Sequence, residues 1–165
     1  MEKKELAEKL KRIPLFNKMD DEFFALFIPC LKVSSFEKKE SIIREGEPGT
    51  DMYVLLKGCV RVNKQTASGD IYTAALLKDE YGIVFGELGL LAEDKRSATV
   101  IAEATCEIGI LCSAEFNKFV DENPKFGVQL LRELSISICQ KLKKSNQDMI
   151  VLYEALIGEV GGTFL

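Results

Sequence analysis

Residues 31 to 112 form a succession of short runs rich in Val, Ile, Tyr and Thr, separated by turn-forming segments such as EGEPGT and ASGD. Runs of this composition form β-strands, and strands that follow one another at short, regular spacing are typical of a sandwich, a jelly roll or a barrel. Seven strands are predicted, at about 31–37, 40–44, 51–56, 59–65, 71–77, 98–103 and 105–112. The pattern excludes an all-helical fold for this region.

Helical periodicity flanks the β-rich region on both sides. Residues 2–12 predict an amphipathic helix, and Asp20 is the expected N-cap of a second helix with a thick apolar side. After the strands, a short helix is expected over 113–120 with Ser113 as its cap. A long helix is then expected at about 124–157. Pro124 supports its start, because Pro is favoured at the first helical position.

The overall composition narrows the range of functions. The 165 residues carry a net charge of −4, which disfavours a nucleic-acid-binding surface, and no apolar run approaches the ~20 residues that span a membrane. The charged, amphipathic N-terminus does not resemble a signal peptide. The chain has no His, which removes most catalytic triads, His-built metal sites and ordinary haem ligation.

The cysteines show no metal-binding spacing. Five are present, and none forms a C-x-x-C pair: Cys30, Cys59, Cys106, Cys112 and Cys139. Several lie inside apolar runs, so they are expected to be free thiols that behave as small apolar side chains rather than zinc or iron–sulfur ligands. Without a secretory signal, the expected compartment is the reducing cytoplasm.

The long C-terminal helix carries a heptad seam. Apolar or small residues recur at alternating steps of four and three: Leu131, Ser135, Ile138, Leu142, Ser145, Met149, Leu152 and Leu156. Such a seam favours a two-helix dimer interface, and the alternative is that the stripe packs within its own chain. Leu134 and Ile136 lie off the seam and are expected to pack on the β domain.

One stretch, FGELGLLAEDKRSATVIA at 85–102, combines groups suited to a small anionic ligand. Gly86 lets a ligand approach the backbone, and the N–H groups of the following helical turn have no acceptor inside the helix. Arg96 offers a planar fork for two phosphate oxygens, and Ser97 adds a hydroxyl donor. Glu87 can accept from sugar hydroxyls. The alternative from these residues alone is an ordinary surface ion pair between Glu87 and Arg96.

This stretch resembles the phosphate-binding cassette of the cyclic nucleotide-binding domains, the family of the catabolite activator protein and the protein kinase A regulatory subunits. The matching residues in the cassette are Phe85, Gly86, Glu87, Leu88, Gly89, Leu90, Arg96, Ser97, Ala98 and Val100. Upstream, the family's strand and turn pattern is matched by Ile42, Glu45-Gly46-Glu47, Met52-Tyr53-Val54-Leu55, Gly58 and Val60, after Pro14-Leu15-Phe16. The resemblance covers about residues 13–160. One departure is Ile83, where the family often has Asp or a small polar residue.

The resemblance implies a fold and a set of ligand contacts. The fold is α+β and mainly β, an eight-stranded, jelly-roll-like β-roll flanked by N-terminal helices and a long C-terminal helix. Arg96 would pair with the cyclic phosphate and Glu87 would accept from the ribose 2′-hydroxyl. The backbone N–H groups of 86–88, together with those of Ser97 and Ala98, would complete the phosphate cradle.

Further contacts are implied around that cradle. Ser97 would also offer its hydroxyl, either to the phosphate or, as Thr does in cGMP-selective members, to a guanine amino group. Val84 and Leu88 would form the apolar wall, with Phe85 as part of the cassette motif. By register with the catabolite activator's dimer helix, the base-contacting residues would be Ser145 and Asn146. Tyr153 is an alternative aromatic cap for the base.

The function implied is a cyclic nucleotide-binding regulatory domain, with cAMP favoured over cGMP, that closes its C-terminal helix over the ligand. The alternative is the same fold without cyclic nucleotide affinity, sensing another small anion or acting as a dimerising module. Catalysis is not expected, and the lack of His argues against a cupin-like enzyme.

The expected organisation is a single domain in two parts. Residues 1–124 would carry the N-terminal helices, the β-roll and the short helix, and residues 125–158 would form a lid or dimerisation helix. A homodimer is expected through that helix. No metal and no membrane segment are expected. No DNA contact is expected either, because the fewer than ten residues that follow the long helix are too few for a helix-turn-helix domain.

Overall fold

The structure is a computed structural model that describes residues 2–92 and 95–161, with side chains through residue 158. The helices are α1 (Lys3–Lys11), α2 (Asp21–Phe27), α3 (Glu87–Ala92), α4 (Ser113–Glu122) and α5 (Pro124–Gly161). The strands are β1 (Lys32–Phe36), β2 (Ser41–Ile43), β3 (Met52–Lys57), β4 (Cys59–Gln65), β5 (Ile71–Lys78), β6 (Val84–Phe85), β7 (Thr99–Ala102) and β8 (Cys106–Leu111). Short 3₁₀ turns lie at Ile28–Cys30 and Asp79–Tyr81.

The eight strands form two antiparallel four-stranded sheets with the orders β1-β8-β3-β6 and β2-β7-β4-β5. This confirms the α+β, mainly β fold and the eight-stranded roll. The seven strands predicted from composition are all present. The eighth, β6, has only two residues and pairs with Tyr53 and Val54 of β3, so its composition could not distinguish it from a loop.

Strand β3 separates two apolar cores. Its first five residues are all buried, because alternate side chains face opposite sides of the sheet. Met52, Val54 and Leu56 pack against the helices, whereas Tyr53 and Leu55 pack inside the roll. A strand that is covered on both faces loses the alternation of apolar and polar residues, as the sequence MYVLL shows.

Stacked and edge-on phenylalanine rings join the helices to one another. Phe23 and Phe27 of α2 contact Phe119 of α4 with ring centroids 5.5 and 5.3 Å apart, and Phe23 contacts Phe126 of α5 at 5.9 Å. Such aromatic pairs add about 0.5–1.5 kcal/mol each beyond the area they bury. The start of α5 is therefore held against α2 and, through Phe119, near α4.

The predicted helix starts are confirmed at two positions and corrected at one. The Asp20 side chain accepts a hydrogen bond from the Phe23 N–H at 2.8 Å, as an N-cap does, and α5 begins at Pro124. Ser113 is not a cap. It is the first residue of α4, and the N-cap position is held by Cys112, which makes no capping hydrogen bond.

The expected burial of apolar side chains is confirmed for some residues and wrong for others. Leu134 is buried as predicted, whereas Ile136, expected to pack on the β domain, is 40% exposed and lines an open space beside Pro14 and Leu15. All five cysteines are free. Cys106 is buried, but Cys139 is exposed on α5 and does not behave as a core residue.

Within the described ranges, no helix is both long and apolar enough to cross a bilayer. The predicted turn LAEDK at 91–95 falls partly on residues 93–94, which lie outside the described residues.

Candidate functional site

A cavity of about 300 Å³ lies between α3 and the start of β7. Its lining residues are Gly86, Glu87, Leu88, Gly89, Ala92, Lys95, Arg96 and Ser97. A volume of this size is at the lower end of the range for small-molecule sites. Among the side chains that the structure describes, only two charged ones are buried, Glu87 and Arg96, and both line this cavity.

Arg96 is held in place through its backbone and its guanidinium group. Its N–H donates to the Glu47 carbonyl and its carbonyl accepts from the Gly46 N–H, each at 2.9 Å, so the turn before β3 fixes its position. Its Nη1 donates to the Gly86 carbonyl at 3.1 Å. Its Cζ lies 5.5 Å from the centre of the Tyr53 ring, within the range of a cation–π contact.

Three glycines leave room for this guanidinium group. A Cβ on Gly49 would lie 2.7 Å from Arg96 Nη2, and a Cβ on Gly89 would lie 2.7 Å from Nη1. Gly86 has φ of +76°, a left-handed conformation that favours glycine, and a Cβ there would be 3.1 Å from Nη1. Any larger residue at Gly49 or Gly89 would displace the guanidinium group from the cavity wall.

Tyr53 supports the site from the interior of the roll. Its ring stacks on Phe85 with centroids 5.3 Å apart and 10° between the planes. Burial is the main cause that raises the pKa of the Tyr53 phenol, so it stays protonated at neutral pH. Phe85 itself is buried and packs behind the cavity rather than lining it.

Glu87 does not pair with Arg96. Its Oε1 lies 2.7 Å from the Nζ of Lys141 on α5, and the Glu87 side chain is only 7% exposed. The same Lys141 ammonium donates to the Val84 carbonyl at 3.1 Å. The surface ion pair between Glu87 and Arg96, left open by the sequence, is therefore absent from the described residues, and the two charges keep separate partners.

Most of the predicted site residues come together in one place. Gly86, Glu87, Leu88, Arg96 and Ser97 line the cavity. Ala98, next in the chain, is half-buried.

Val84 lies one step away from that cavity. It lines a neighbouring space between the β-roll and α5, which it shares with Lys141.

The predicted base-contacting residues lie elsewhere. Ser145 and Asn146 are exposed on α5, and Tyr153 is 64% exposed still further along the helix. Over residues 2–92 and 95–161, no hydrogen bond or ion pair joins Ser145 or Asn146 to the cassette. Within one chain, the contact between α5 and the cassette is made one turn earlier, at Lys141.

Sequence reasoning missed Lys141, Gly49 and Tyr53 as parts of this site. Lys141 stands among the similar residues of KLKK, and its contact with Glu87 depends on the packing angle of α5. The sequence places Gly49 in a turn and Tyr53 in a strand, and neither pattern indicates a contact with a ligand site. Of these, Gly49 had a signal, since it follows Pro48 in a turn directly before a core strand.

Comparison with known proteins identifies the family. The cyclic nucleotide-binding domain profile matches residues 33–123, more than half of the chain. Human cGMP-dependent protein kinase 2 is 38% identical over 96 residues, which are 57% of this chain and 12% of that protein.

Solved structures agree with this match. A cyclic nucleotide-binding domain from Methylobacillus flagellatus KT has a TM-score of 0.79 at 22% identity, covering 90% of this chain and 82% of that one, and shows the same fold. The regulatory domain of Toxoplasma gondii PKA, solved with cAMP, has a TM-score of 0.63 at 29% identity, covering 74% and 46%.

This chain belongs to the cyclic nucleotide-binding domain family. It spans only 12% of the length of the kinase that it resembles, so the match concerns this domain and not the kinase as a whole. In the part of the chain that the structure describes, no group of three or more acidic, Cys or His side chains is placed to hold a metal ion.

Proposed function

We propose that this domain binds a cyclic nucleotide in the cavity beside Arg96 and acts as a regulatory sensor without catalytic activity of its own. The observation that carries the proposal is that both buried charges of the described chain, Glu87 and Arg96, line one cavity. Burying a charge costs free energy unless a partner compensates it. A ligand with one anionic group and several hydroxyl groups is the partner that suits this pair.

The cyclic phosphate would bind on the Arg96 side of the cavity. A guanidinium group has five N–H donors, and one nitrogen of Arg96 already donates to Gly86. The remaining donors form a fork that matches two phosphate oxygens. Ser97 lines the same cavity and would add its hydroxyl and its backbone N–H, with the N–H of Ala98 beside it.

The sugar would bind on the Glu87 side. An ionised carboxylate accepts hydrogen bonds at both oxygens, and Lys141 donates to Oε1. The ribose 2′-hydroxyl would donate to this carboxylate. Val84 and Leu88 would provide the apolar wall, and Leu88 is 51% exposed and accessible from the cavity that it lines.

We take cAMP as the preferred ligand, with cGMP as the alternative. Ser97 stands where cGMP-selective members of the family carry Thr, and the Toxoplasma gondii domain was solved with cAMP. The kinase relative, however, is cGMP-dependent by name, so both nucleotides need to be tested. Ser145 and Asn146 would reach the base from the helix of a second copy, because both are exposed and, among the described residues, neither hydrogen-bonds the cassette of its own chain.

The C-terminal part, residues 125–158, is proposed as both lid and dimer element. A ligand changes the position of such a helix only if it binds one arrangement more tightly than the other. The apolar residues of the distal helix support a homodimer, since Leu142, Met149, Leu152 and Leu156 are each at least 60% exposed in the single chain. A cytoplasmic location is part of the same proposal.

Titration calorimetry with cAMP and cGMP tests the proposal. We expect micromolar or tighter binding of at least one nucleotide by the unaltered protein. Arg96→Ala should weaken that binding by about 1.5–3 kcal/mol, because a charge-assisted contact with the phosphate is lost. Arg132→Ala is the matched control, since it removes the same charge from an exposed position on α5 and should bind normally.

Thermal unfolding of each variant, with and without nucleotide, checks that Arg96→Ala still folds, and Arg96→Lys provides a milder change that keeps the charge but lacks the fork. If neither nucleotide produces heat or raises the melting temperature of the unaltered protein, the domain does not bind cyclic nucleotides. Its cavity would then serve a different small anion, or the domain would act through its helix alone.

A further inference from the structure

Of the strands at the sheet edges in the described chain, β5 is the longest. The edge strands are β1 and β6 in one sheet and β2 and β5 in the other. Strand β5 has eight residues, whereas β1, β2 and β6 have five, three and two. An edge strand presents a row of backbone N–H and C=O groups that can pair with a strand of another molecule.

This edge lacks most of the features that keep edge strands from pairing. Charges, Pro, a short length or a covering segment usually protect such an edge. The first seven residues of β5 (IYTAALL) contain neither a charge nor Pro. Three of its apolar side chains are also uncovered, since Ile71 is 71% exposed, Tyr72 is 49% exposed and Leu76 is 57% exposed. The protective feature that β5 does have is a β-bulge.

The bulge places one extra residue in the middle of β5. Asn63 of β4 lies opposite Thr73, and Val62 lies opposite Ala75, so Ala74 is the extra residue. Alternate residues of an antiparallel strand direct their backbone N–H and C=O groups to opposite sides. An extra residue therefore shifts this alternation by one position between the two halves of the strand.

Hydrogen bonds at the two ends of the β4–β5 hairpin show which residues face away from β4. The Thr66 N–H donates to the Asp70 carbonyl at 2.9 Å, and the Asp79 N–H donates to the Gly58 carbonyl at 3.1 Å. Asp70 and Asp79 thus both direct these groups toward β4. Counted alternately from these two ends, the residues whose backbone groups face the free edge are Ile71, Thr73, Leu76 and Lys78.

The four residues are spaced symmetrically, and this spacing identifies the strand that fits the edge. Ile71 and Lys78 lie equally far along the chain from the midpoint of β5. Thr73 and Leu76 are also equally far from it. A second β5 running antiparallel carries the same extra residue at the same midpoint, so both halves pair in register. A strand without a bulge would match the edge on only one side of Ala74.

We propose that the free edges of β5 from two copies of this chain pair antiparallel, so that their sheets join into one continuous sheet. In this register, Thr73 lies opposite Leu76 of the second copy, and Tyr72 lies opposite Leu77. Aromatic and aliphatic side chains that face each other across strands stabilise a sheet.

The charges and the size of this contact determine its strength. Lys78, the one charged residue of β5, lies opposite Ile71, so like charges do not face each other. Two edges of eight residues share a small area for a protein interface, so the pairing depends on concentration. The contact is separate from the seam of α5, and it would join dimers that form through that helix.

Backbone amide hydrogen exchange, measured by NMR in dilute and in concentrated solution, tests the pairing. The N–H groups of the four edge-facing residues should exchange about tenfold more slowly once about nine-tenths of the copies are paired. The N–H groups of Tyr72, Ala75 and Leu77 face β4 at either concentration. They are the internal control, and their exchange should change much less.

Paired charge substitutions test the register. Thr73→Glu with Leu76→Glu should abolish the protection, because carboxylates would face each other across the two strands. Thr73→Lys with Leu76→Glu is the matched control, since it also replaces both residues but places opposite charges face to face, and it should restore the protection. Both residues are exposed in the single chain, and thermal unfolding in dilute solution checks that each variant folds.

Three results would overturn the proposal. If the edge-facing amides exchange equally fast at both concentrations, the edges do not pair, and the edge is left to an extended segment of another protein. A mass that rises with concentration while these amides stay unprotected would assign the association to a different surface. Protection that Thr73→Lys with Leu76→Glu fails to restore would exclude this register and the symmetric pair that it defines.

Discussion

The two halves of helix α5 carry similar apolar residues but lie in opposite surroundings. In the first half, Phe126, Leu130 and Leu134 are at most 5% exposed and pack into the helical core. In the second half, Leu142 is 60% exposed and Met149 is 61% exposed, and residues 139–158 are exposed throughout. An apolar stripe shows that a helix has a face to cover, but not whether the cover comes from the same chain.

Lys141 stands at the boundary between these halves. The helix packs into the helical core as far as residue 138, and residues 139–158 are all exposed. Among the described residues, the hydrogen bonds of Lys141 are the last along α5 that join it to the ligand-binding region. A motion of the exposed half would reach the site through this residue.

The largest expected effect comes from placing charges in the seam of the exposed half. Leu142→Glu with Met149→Glu should convert a dimer to a monomer, because the two new carboxylates of one helix would be buried against the same carboxylates of the second helix. Light scattering measures the mass. Gln140→Glu with Gln147→Glu adds the same charge at the same spacing but off the seam, and should leave the mass unchanged. A mass that does not respond to the seam variant would mean that the stripe is not a dimer interface.

The next largest effect is on the free energy of unfolding, which the same Leu→Ala substitution should lower much more in the first half of α5 than in the second. Leu130→Ala should lower the free energy of unfolding by about 2–5 kcal/mol, because it leaves a cavity in the core. Leu142→Ala, the same change in the exposed half, should cost less than about 0.5 kcal/mol. Urea unfolding at a concentration where the protein is monomeric compares the two. Equal losses would show that the exposed half is covered within its own chain.

A smaller contrast than that between Leu130 and Leu142 should come from the two glycines of α5. A Cβ on Gly127 would lie 2.9 Å from the Cα of Val120 on α4, so Gly127→Ala should cost about 1–3 kcal/mol by overpacking. A Cβ on Gly158 would meet nothing within 4 Å, so Gly158→Ala should favour the helix locally by up to about 1 kcal/mol. Urea unfolding measures the free energy of unfolding of Gly127→Ala, and amide hydrogen exchange measures the local stability of the helix in Gly158→Ala. Destabilisation by Gly158→Ala would contradict the open surroundings found here.

Several features could be predicted from local sequence because their cause is local. The seven strands follow from runs of β-branched residues, and the Asp20 cap follows from one side chain and the N–H three residues later. The cassette could be found because its spacing is short, and the structure brings Glu87 and Arg96 to one cavity as that motif implies. The prediction of Ser113 as a cap was wrong by one residue, because the helix already begins at Ser113 and Cys112 holds the N-cap position.

Other features depend on packing between distant segments. The sequence by itself determined where seven of the strands lie along the chain, where the long helix lies, and that Glu87 and Arg96 are the two charged residues of the site. Only the tertiary structure decided that Glu87 pairs with Lys141 rather than with Arg96, that Gly49 and Gly89 make room for the guanidinium group, and that α5 leaves the core after residue 138. The physical reason is distance along the chain. Periodicity reports which side of one element is apolar, whereas a contact across 54 residues depends on the angle at which two elements pack.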